Sequence, residues 1–346
     1  MSLVSSVKKR RKYKIHYGRI LSAFLLMLLL VTGMIFLAAF LFRSPQAPQF
    51  DEPNLSFTQV TATVEGSPYY SDSFRSRRMA EAVGSIYSPY ALLMEEDTGR
   101  VLYRKAENDI AYPASLTKMM TLILAIENLP DLSLKIKLPT AIFAPLYQMN
   151  ASMAGFQPEE SATVKDLLYG TMLPSGAECA IGLAEEISGS EEAFADLMNQ
   201  KAAELGMNNT HFTNCTGLHD PNHYSTAKDM ALLLKYCLRN ETFRTLFDTA
   251  SYRTEPTSVY ADGIPLESTM FRKVKDPQID GGGTLLGGKT GYTGEAGLCL
   301  ASLAEVNGAD YILVTMGAHG NNSTEPFHLL DAFNLYGHIQ NYTSDD

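Results

Sequence analysis

Gly297-Leu298-Cys299-Leu300-Ala301-Ser302-Leu303-Ala304 and Tyr311-Ile312-Leu313-Val314-Thr315-Met316 flank the pair Asn307-Gly308. Two apolar runs rich in strand-favouring residues around Asn-Gly predict a β-hairpin, because its tightest turn needs positive φ at both central positions, which Asn and Gly accept most readily. A matching pattern stands far upstream. Tyr90-Ala91-Leu92-Leu93-Met94 and Val101-Leu102-Tyr103 are joined by Glu96-Asp97-Thr98-Gly99, again suited to a tight turn. Between the two hairpins the apolar period changes from two to about 3.6. From Ser190, a good N-cap with Glu191 and Glu192 behind it, apolar residues fall at Phe194, Leu197, Met198, Ala202 and Leu205 until Gly206. Met230, Leu233, Leu234, Cys237 and Leu238 repeat that stripe. Strands at both ends with helices between predict an α/β (α+β) fold: an antiparallel sheet joined by both ends of the chain, flanked by helices, with an all-helical subdomain inserted.

Upstream of the first hairpin the composition changes. Ile20 to Phe42 is twenty-three residues without a charge, enough helix to cross a bilayer core of roughly 30 Å. Lys8, Lys9, Arg10, Arg11, Lys12, Lys14 and Arg19 precede it and Arg43 follows, so the positive-inside rule places the N-terminus in the cytoplasm and the rest outside. A cleaved signal peptide is the competing reading; the run exceeds the usual apolar core of such a peptide, and Phe40-Leu41-Phe42 ends it without small residues. The expected organisation is a basic cytoplasmic tail (1–19), a single-pass membrane anchor (20–42), an extracytoplasmic stalk without sustained helical periodicity (43–84), a catalytic domain (85–340) and a short tail (341–346). The first 43 residues hold eight of the 28 Lys and Arg and none of the 38 Asp and Glu. The remainder is strongly acidic, which argues against nucleic acid or anionic lipid as a partner. Cys179, Cys215, Cys237 and Cys299 show neither a CxxC pair nor a zinc-site spacing; disulfides are open to an exported domain, and buried apolar thiols are the simpler reading.

Three short motifs carry the chemistry. Ser115-Leu116-Thr117-Lys118 follows Pro113 and opens an apolar stripe through Leu116, Met119, Met120, Ile123 and Ile126. This predicts a buried helix with Ser115 in its first turn and Lys118 on the same face. A serine hydroxyl needs a base, and a lysine serves only where burial or a neighbouring cation favours the neutral amine; Lys289 is a candidate for that neighbour. Ser175-Gly176-Ala177 lies in a Pro/Gly turn between a helix ending near Met172 and another starting near Glu178, placed to aim a hydroxyl into a cleft. Lys289-Thr290-Gly291 follows a glycine-rich stretch and precedes strand-like residues; its glycine permits an extended peptide to approach a strand edge. Each motif alone is an ordinary surface feature. Their order and spacing together read as a serine acyl-transfer site.

These motifs sit in blocks that resemble one family. Pro113 to Thr121, Asp166-Leu167-Leu168-Tyr169-Gly170, Leu173-Pro174-Ser175-Gly176, Gly206 to Phe212, His223-Tyr224-Ser225-Thr226 and Gly288 to Gly297 resemble the serine-type D-alanyl-D-alanine carboxypeptidases, low-molecular-mass penicillin-binding proteins of peptidase family S11, over a stretch from Tyr87 to His338. The resemblance implies a β-lactamase/transpeptidase-like fold, no metal and no organic cofactor. It implies that Ser115 attacks a peptidoglycan stem peptide ending in D-Ala-D-Ala, that Lys118 takes the proton, and that Ser175 relays protons to the leaving amine. Lys289 and Thr290, with Gly291 and Tyr292, would bind substrate. Backbone N–H groups of Ser115 and Tyr292 would form the oxyanion hole, and β-lactams would acylate Ser115.

The chain departs from the family pattern at the second motif, where Ala177 stands in place of an Asn that binds lysine and substrate; Glu178 is a candidate substitute. Relatives also place a basic residue beyond the strand corresponding to Tyr311–Met316, where this chain offers His319. The N-terminal span would take over the role of the C-terminal amphipathic membrane helix found in relatives. A weakened cell-wall peptide-binding homologue is therefore the alternative, with a β-lactamase behind it. A zinc site on His219 and His223 is disfavoured because Asp220-Pro221 breaks the helix that would align them.

Overall fold

The computed structural model describes residues 68–339. The expected cytoplasmic tail, membrane anchor and C-terminal tail, and the stalk up to residue 67, lie outside the described residues. In chain order, helix α1 (Pro68–Val83) leads to strands β1 (Tyr90–Glu95) and β2 (Val101–Lys105), and a 3-10 turn at Ala114–Thr117 runs into α2 (Lys118–Asn128). The insertion continues with β3 (Lys135–Lys137), α3 (Phe143–Gln148), β4 (Ser161–Thr163), α4 (Val164–Met172), α5 (Ala177–Ser188), α6 (Glu191–Glu204), α7 (Ala227–Leu238), α8 (Glu241–Asp248), β5 (Ser251–Arg253) and β6 (Pro265–Glu267). Strands β7 (Thr284–Thr293), β8 (Gly297–Val306) and β9 (Ala309–Ala318) and helix α9 (Phe327–Gly337) follow.

Five strands form one sheet in the order β2-β1-β9-β8-β7. Every neighbouring pair is antiparallel, and Tyr90 of β1 sits opposite Met316 of β9. Asn307 and Gly308 both have positive φ, 53° and 78°, as the hairpin requires. The strand period divides the core by face. Leu92, Met94, Ile312, Val314 and Met316 pack with the inserted helices, while their neighbours Ala91, Leu93, Tyr311 and Leu313 pack with α1 and α9. Both faces are covered, so β8 and β9 read as near-continuous apolar runs. Asp331 of α9 fastens the entrance to β1: its buried carboxylate accepts the backbone N–H groups of Tyr87 and Ser88, each at 2.8 Å.

Two expectations need correction. The stretch from Pro68 is not stalk but helix α1, with Ser76, Met79 and Val83 buried against the sheet; this face is a single narrow stripe among Arg77, Arg78 and Glu81, too weak to reveal a helical period. The insertion is not all-helical, since β3 pairs with β4 and β5 with β6. Three-residue ribbons are too short to show alternation. The helices themselves start where short polar side chains cap them: Thr163, Ser190, Thr226 and Asn240 accept from the backbone N–H of Asp166, Ala193, Asp229 and Phe243. All four cysteines are buried free thiols.

Candidate active site

Strand β7 is an edge of the sheet, and Lys289-Thr290-Gly291 lies within it rather than before it. It runs against the 3-10 turn that carries Ser115. A Cβ at position 291 would fall 3.0 Å from the Ser115 backbone nitrogen and 3.1 Å from the Pro113 carbonyl oxygen, so this crossing admits only glycine without rearrangement. Ser115 itself is half-buried and belongs to the 3-10 turn, one turn earlier than the α-helix expected from sequence. The residue before it, Ala114, has φ 46°. Ser175, in the turn between α4 and α5, has φ 66°, and Asn150 on the opposite wall 49°. Left-handed backbone at non-glycine residues costs about 1–3 kcal/mol each and persists where surrounding structure enforces it. Here Asn150 and Ser175 border one cleft, and Ala114 immediately precedes the serine between its lobes.

Lys118, the first residue of α2, is 2 % exposed. Its Nζ donates to Ser115 Oγ at 3.3 Å and to the Thr216 carbonyl at 2.6 Å. Burial lowers its pKa to about 8, opposed by the Cys215 thiol and the Glu178 and Glu191 carboxylates. A substantial neutral fraction is thereby available near neutral pH, which a general base requires. The loop bearing Thr216 is pinned from both sides. Asn214 Oδ1 accepts from the backbone N–H groups of Thr216 and Gly217, and Thr121 Oγ donates to the Cys215 carbonyl at 2.6 Å. Below it, His223 Nδ1 accepts from the Thr213 backbone N–H, which leaves Nε2–H to donate to Thr117 Oγ at 2.7 Å. Burial holds that imidazole neutral, with a pKa of about 4. Thr117, Thr121, Asn214, Thr216 and His223 are thus positioning residues that the motif reading missed. Thr117 and Thr121 fall in the block Pro113 to Thr121 and His223 in the block His223-Tyr224-Ser225-Thr226, neither of which assigned them a role; Asn214 and Thr216 fall in none.

Lys289 lies within electrostatic reach of Lys118. Its side chain is fully buried, its Nζ donates to the Thr290 carbonyl at 3.0 Å, and it borders neither part of the cleft. Its pKa is pushed well below the ordinary range by burial and then by Lys118. Burial, more than Lys289, is what lowers Lys118.

The cleft has two lobes meeting at Ser115. One, about 440 Å³, is bordered by Lys118, Ala177, Thr216, Tyr292 and Glu295; the other, about 410 Å³, by Ser175, Thr269, Thr290, Gly291 and Tyr292. Ala177 offers a methyl group to the first lobe. Glu178 does not replace the missing amide: its side chain turns away, with Oε1 accepting from the backbone N–H groups of Ala154 and Gly155 at 2.7 and 2.9 Å. Ser175 Oγ is buried and makes no hydrogen bond. Thr290 Oγ meets Thr269 Oγ at 2.7 Å. His319 packs against Phe327 and Tyr87, ring centroids 4.2 and 5.6 Å away, and borders neither lobe.

A serine paired with a buried lysine, at the junction of an antiparallel sheet and a helical insertion, is an arrangement suited to serine acyl transfer. The chain belongs to the D-alanyl-D-alanine carboxypeptidase family, peptidase S11, whose family profile matches residues 77–320. It is 40% identical over 229 residues to the D-alanyl-D-alanine carboxypeptidase DacF of Bacillus subtilis, covering 66% of this chain and 57% of that protein's length. It is 34% identical over 227 residues to the D-alanyl-D-alanine carboxypeptidase of Streptomyces sp. strain K15, covering 63% of this chain and 77% of that protein. The crystal structure of the Streptomyces K15 DD-transpeptidase superposes with a TM-score of 0.65 at 28% identity, over 74% of this chain and 98% of that one.

Proposed function

We propose that the protein is a serine D-alanyl-D-alanine carboxypeptidase that removes the terminal D-Ala from peptidoglycan stem peptides and is acylated by β-lactams. The observation that carries this reading is the 3.3 Å contact between Lys118 Nζ and Ser115 Oγ, with the amine buried and its pKa near 8. Ser115 Oγ attacks the carbonyl of the penultimate D-Ala as its proton passes to Lys118. Negative charge on the tetrahedral oxygen falls to the backbone N–H groups of Ser115 and Tyr292, which the close crossing at Gly291 brings together. The proton on Lys118 moves to the buried Ser175 hydroxyl as that hydroxyl gives its own to the leaving amine, so D-Ala departs and Lys118 is neutral again. Water then attacks the Ser115 ester, with Lys118 as base, and regenerates the hydroxyl. A substrate carboxylate beside Thr290 favours the ammonium form of the buried Lys289, and a charged Lys289 disfavours a proton on Lys118. Substrate binding thus makes the base it needs.

We further propose that residues 20–42 anchor the protein in the cell membrane as a single pass, with residues 1–19 cytoplasmic and the catalytic domain outside. The uncharged run and its flanking cations support this reading. Resistance of the full chain to alkaline extraction from membranes, lost on deletion of residues 1–42, is the expected result; extraction of the intact chain refutes it.

Ala177 favours a second reading, a slow homologue that holds cell-wall peptide. Full-length protein in detergent, incubated with diacetyl-L-Lys-D-Ala-D-Ala, decides between them: D-alanine release by the parent and none by Ser115→Ala supports the carboxypeptidase. Labelling by a fluorescent penicillin without D-alanine release supports the slow homologue, and equal release from parent and variant removes Ser115 as nucleophile.

A further inference from the structure

The second lobe of the cleft contains a cation pair that the three motifs do not account for. Arg272 and Lys273 border it together with Ser175, Thr269 and Thr290. No other Lys or Arg side chain borders either lobe except the base, Lys118. Lys289 is fully buried with its amine on the Thr290 carbonyl, and His319 is packed against aromatic rings outside the cleft. The end of the site that must take a substrate anion is therefore furnished with positive charge from the segment before β7.

That segment is a fixed turn. Its Thr269 N–H donates to the Leu173 carbonyl at 3.0 Å, beside the Ser175 turn, while Thr269 Oγ meets Thr290 Oγ on β7. Arg272 N–H closes the turn on the Ser268 carbonyl at 3.0 Å, and Met270 is fully buried beneath it. Arg272 is exposed at the top and makes no ion pair among the described residues. The Lys273 amine is held below its ordinary range by burial and by the adjacent guanidinium. In the same lobe the buried Ser175 hydroxyl has no hydrogen-bond partner. Two cations without an ion-pair partner among the described residues border the lobe where an acidic ligand would pair with both.

We infer that Arg272, assisted by Lys273, is the specificity-determining residue that receives the free α-carboxylate of the substrate, so that the enzyme cleaves at chain ends in preference to internal D-alanyl links. This rests on the carboxypeptidase reading. A planar guanidinium can grip a carboxylate with two parallel hydrogen bonds, which a neutral amide end cannot reproduce. Thr290 borders the same lobe and offers a hydroxyl to that carboxylate.

The test compares diacetyl-L-Lys-D-Ala-D-Ala with its C-terminal amide, on full-length parent, Arg272→Ala, Arg272→Lys and Lys273→Ala. The parent is expected to prefer the acid. Arg272→Ala should lower kcat/KM for the acid roughly 10- to 100-fold, the range for losing a hydrogen bond to a charged group, chiefly through KM, and leave the amide rate unchanged. Arg272→Lys should recover part of the preference, and Lys273→Ala should lose less of it. Unchanged kinetics in Arg272→Ala, or an equal fall on acid and amide, overturns the assignment. A parent that releases nothing from either peptide fails differently, since it removes the activity on which the assignment rests.

Discussion

The base in this site should announce itself in a pH profile whose midpoint is set by burial. An ordinary lysine, with a pKa of 10.5, is about 0.03% neutral at pH 7; at the Lys118 value of about 8, the neutral fraction is about 10% at pH 7, half at pH 8 and nearly complete at pH 10. The displacement is equivalent to roughly 3 kcal/mol in favour of the uncharged amine. Acylation of Ser115 needs that form, so its second-order rate with a fluorescent penicillin should climb about tenfold from pH 7 to pH 10 and level off. The sign follows from the protonated amine being the inactive one. Glu178 adds a second arm. Its carboxylate favours the ammonium form of Lys118, so Glu178→Gln, which keeps an acceptor for the Ala154 and Gly155 N–H groups, should move the midpoint to lower pH. The assay is stopped-flow or gel-based labelling at fixed ionic strength, with parallel controls for reagent hydrolysis. A flat profile, a midpoint near that of a free lysine, or an upward displacement in Glu178→Gln would refute burial as the activating device.

Other perturbations read other parts of the structure. Gly291→Val pushes side-chain carbon into the Ser115 nitrogen and the Pro113 carbonyl, and should cut penicillin acylation at least 100-fold while far-ultraviolet circular dichroism stays that of the parent; near-normal labelling would show that the crossing yields. Asp331→Ala strands two backbone donors at the start of β1 and should cost about 3 kcal/mol in urea unfolding; a loss below 0.5 kcal/mol would mean that water serves them equally well. The four thiols are all buried, and burial raises the pKa of each. Ellman's reagent should therefore react with the unfolded chain at least 100 times faster than with the native one; comparable rates would contradict their enclosure.

What was legible in the sequence was whatever repeats over many residues. The apolar runs of β8 and β9, the Asn307-Gly308 turn and the stripes of α6 and α7 each draw on several residues close in the chain, and those elements stand where the pattern puts them. Contacts that depend on chain segments far apart were not legible. Nothing in Lys289-Thr290-Gly291 says that its amine is fully buried on the Thr290 carbonyl while Arg272, on another turn, borders the cleft. Nor does Ser-Leu-Thr-Lys reveal that Thr117 rests on His223. The weak stripe of α1 failed for the opposite reason: a helix lying against a sheet on one edge needs few apolar residues.

The central strands β1 and β9 are neighbours in space but come from opposite ends of the domain, and the Asp331 contacts that lock them span 244 and 243 residues. Such a topology has high contact order, and closing so large a loop must precede most of the sheet's stabilisation. The nascent β1–β2 hairpin therefore waits, apolar on both faces, until the last hairpin has been made. A permuted chain that places β9 directly before β1 should shorten this wait and fold faster, with the catalytic cleft unchanged.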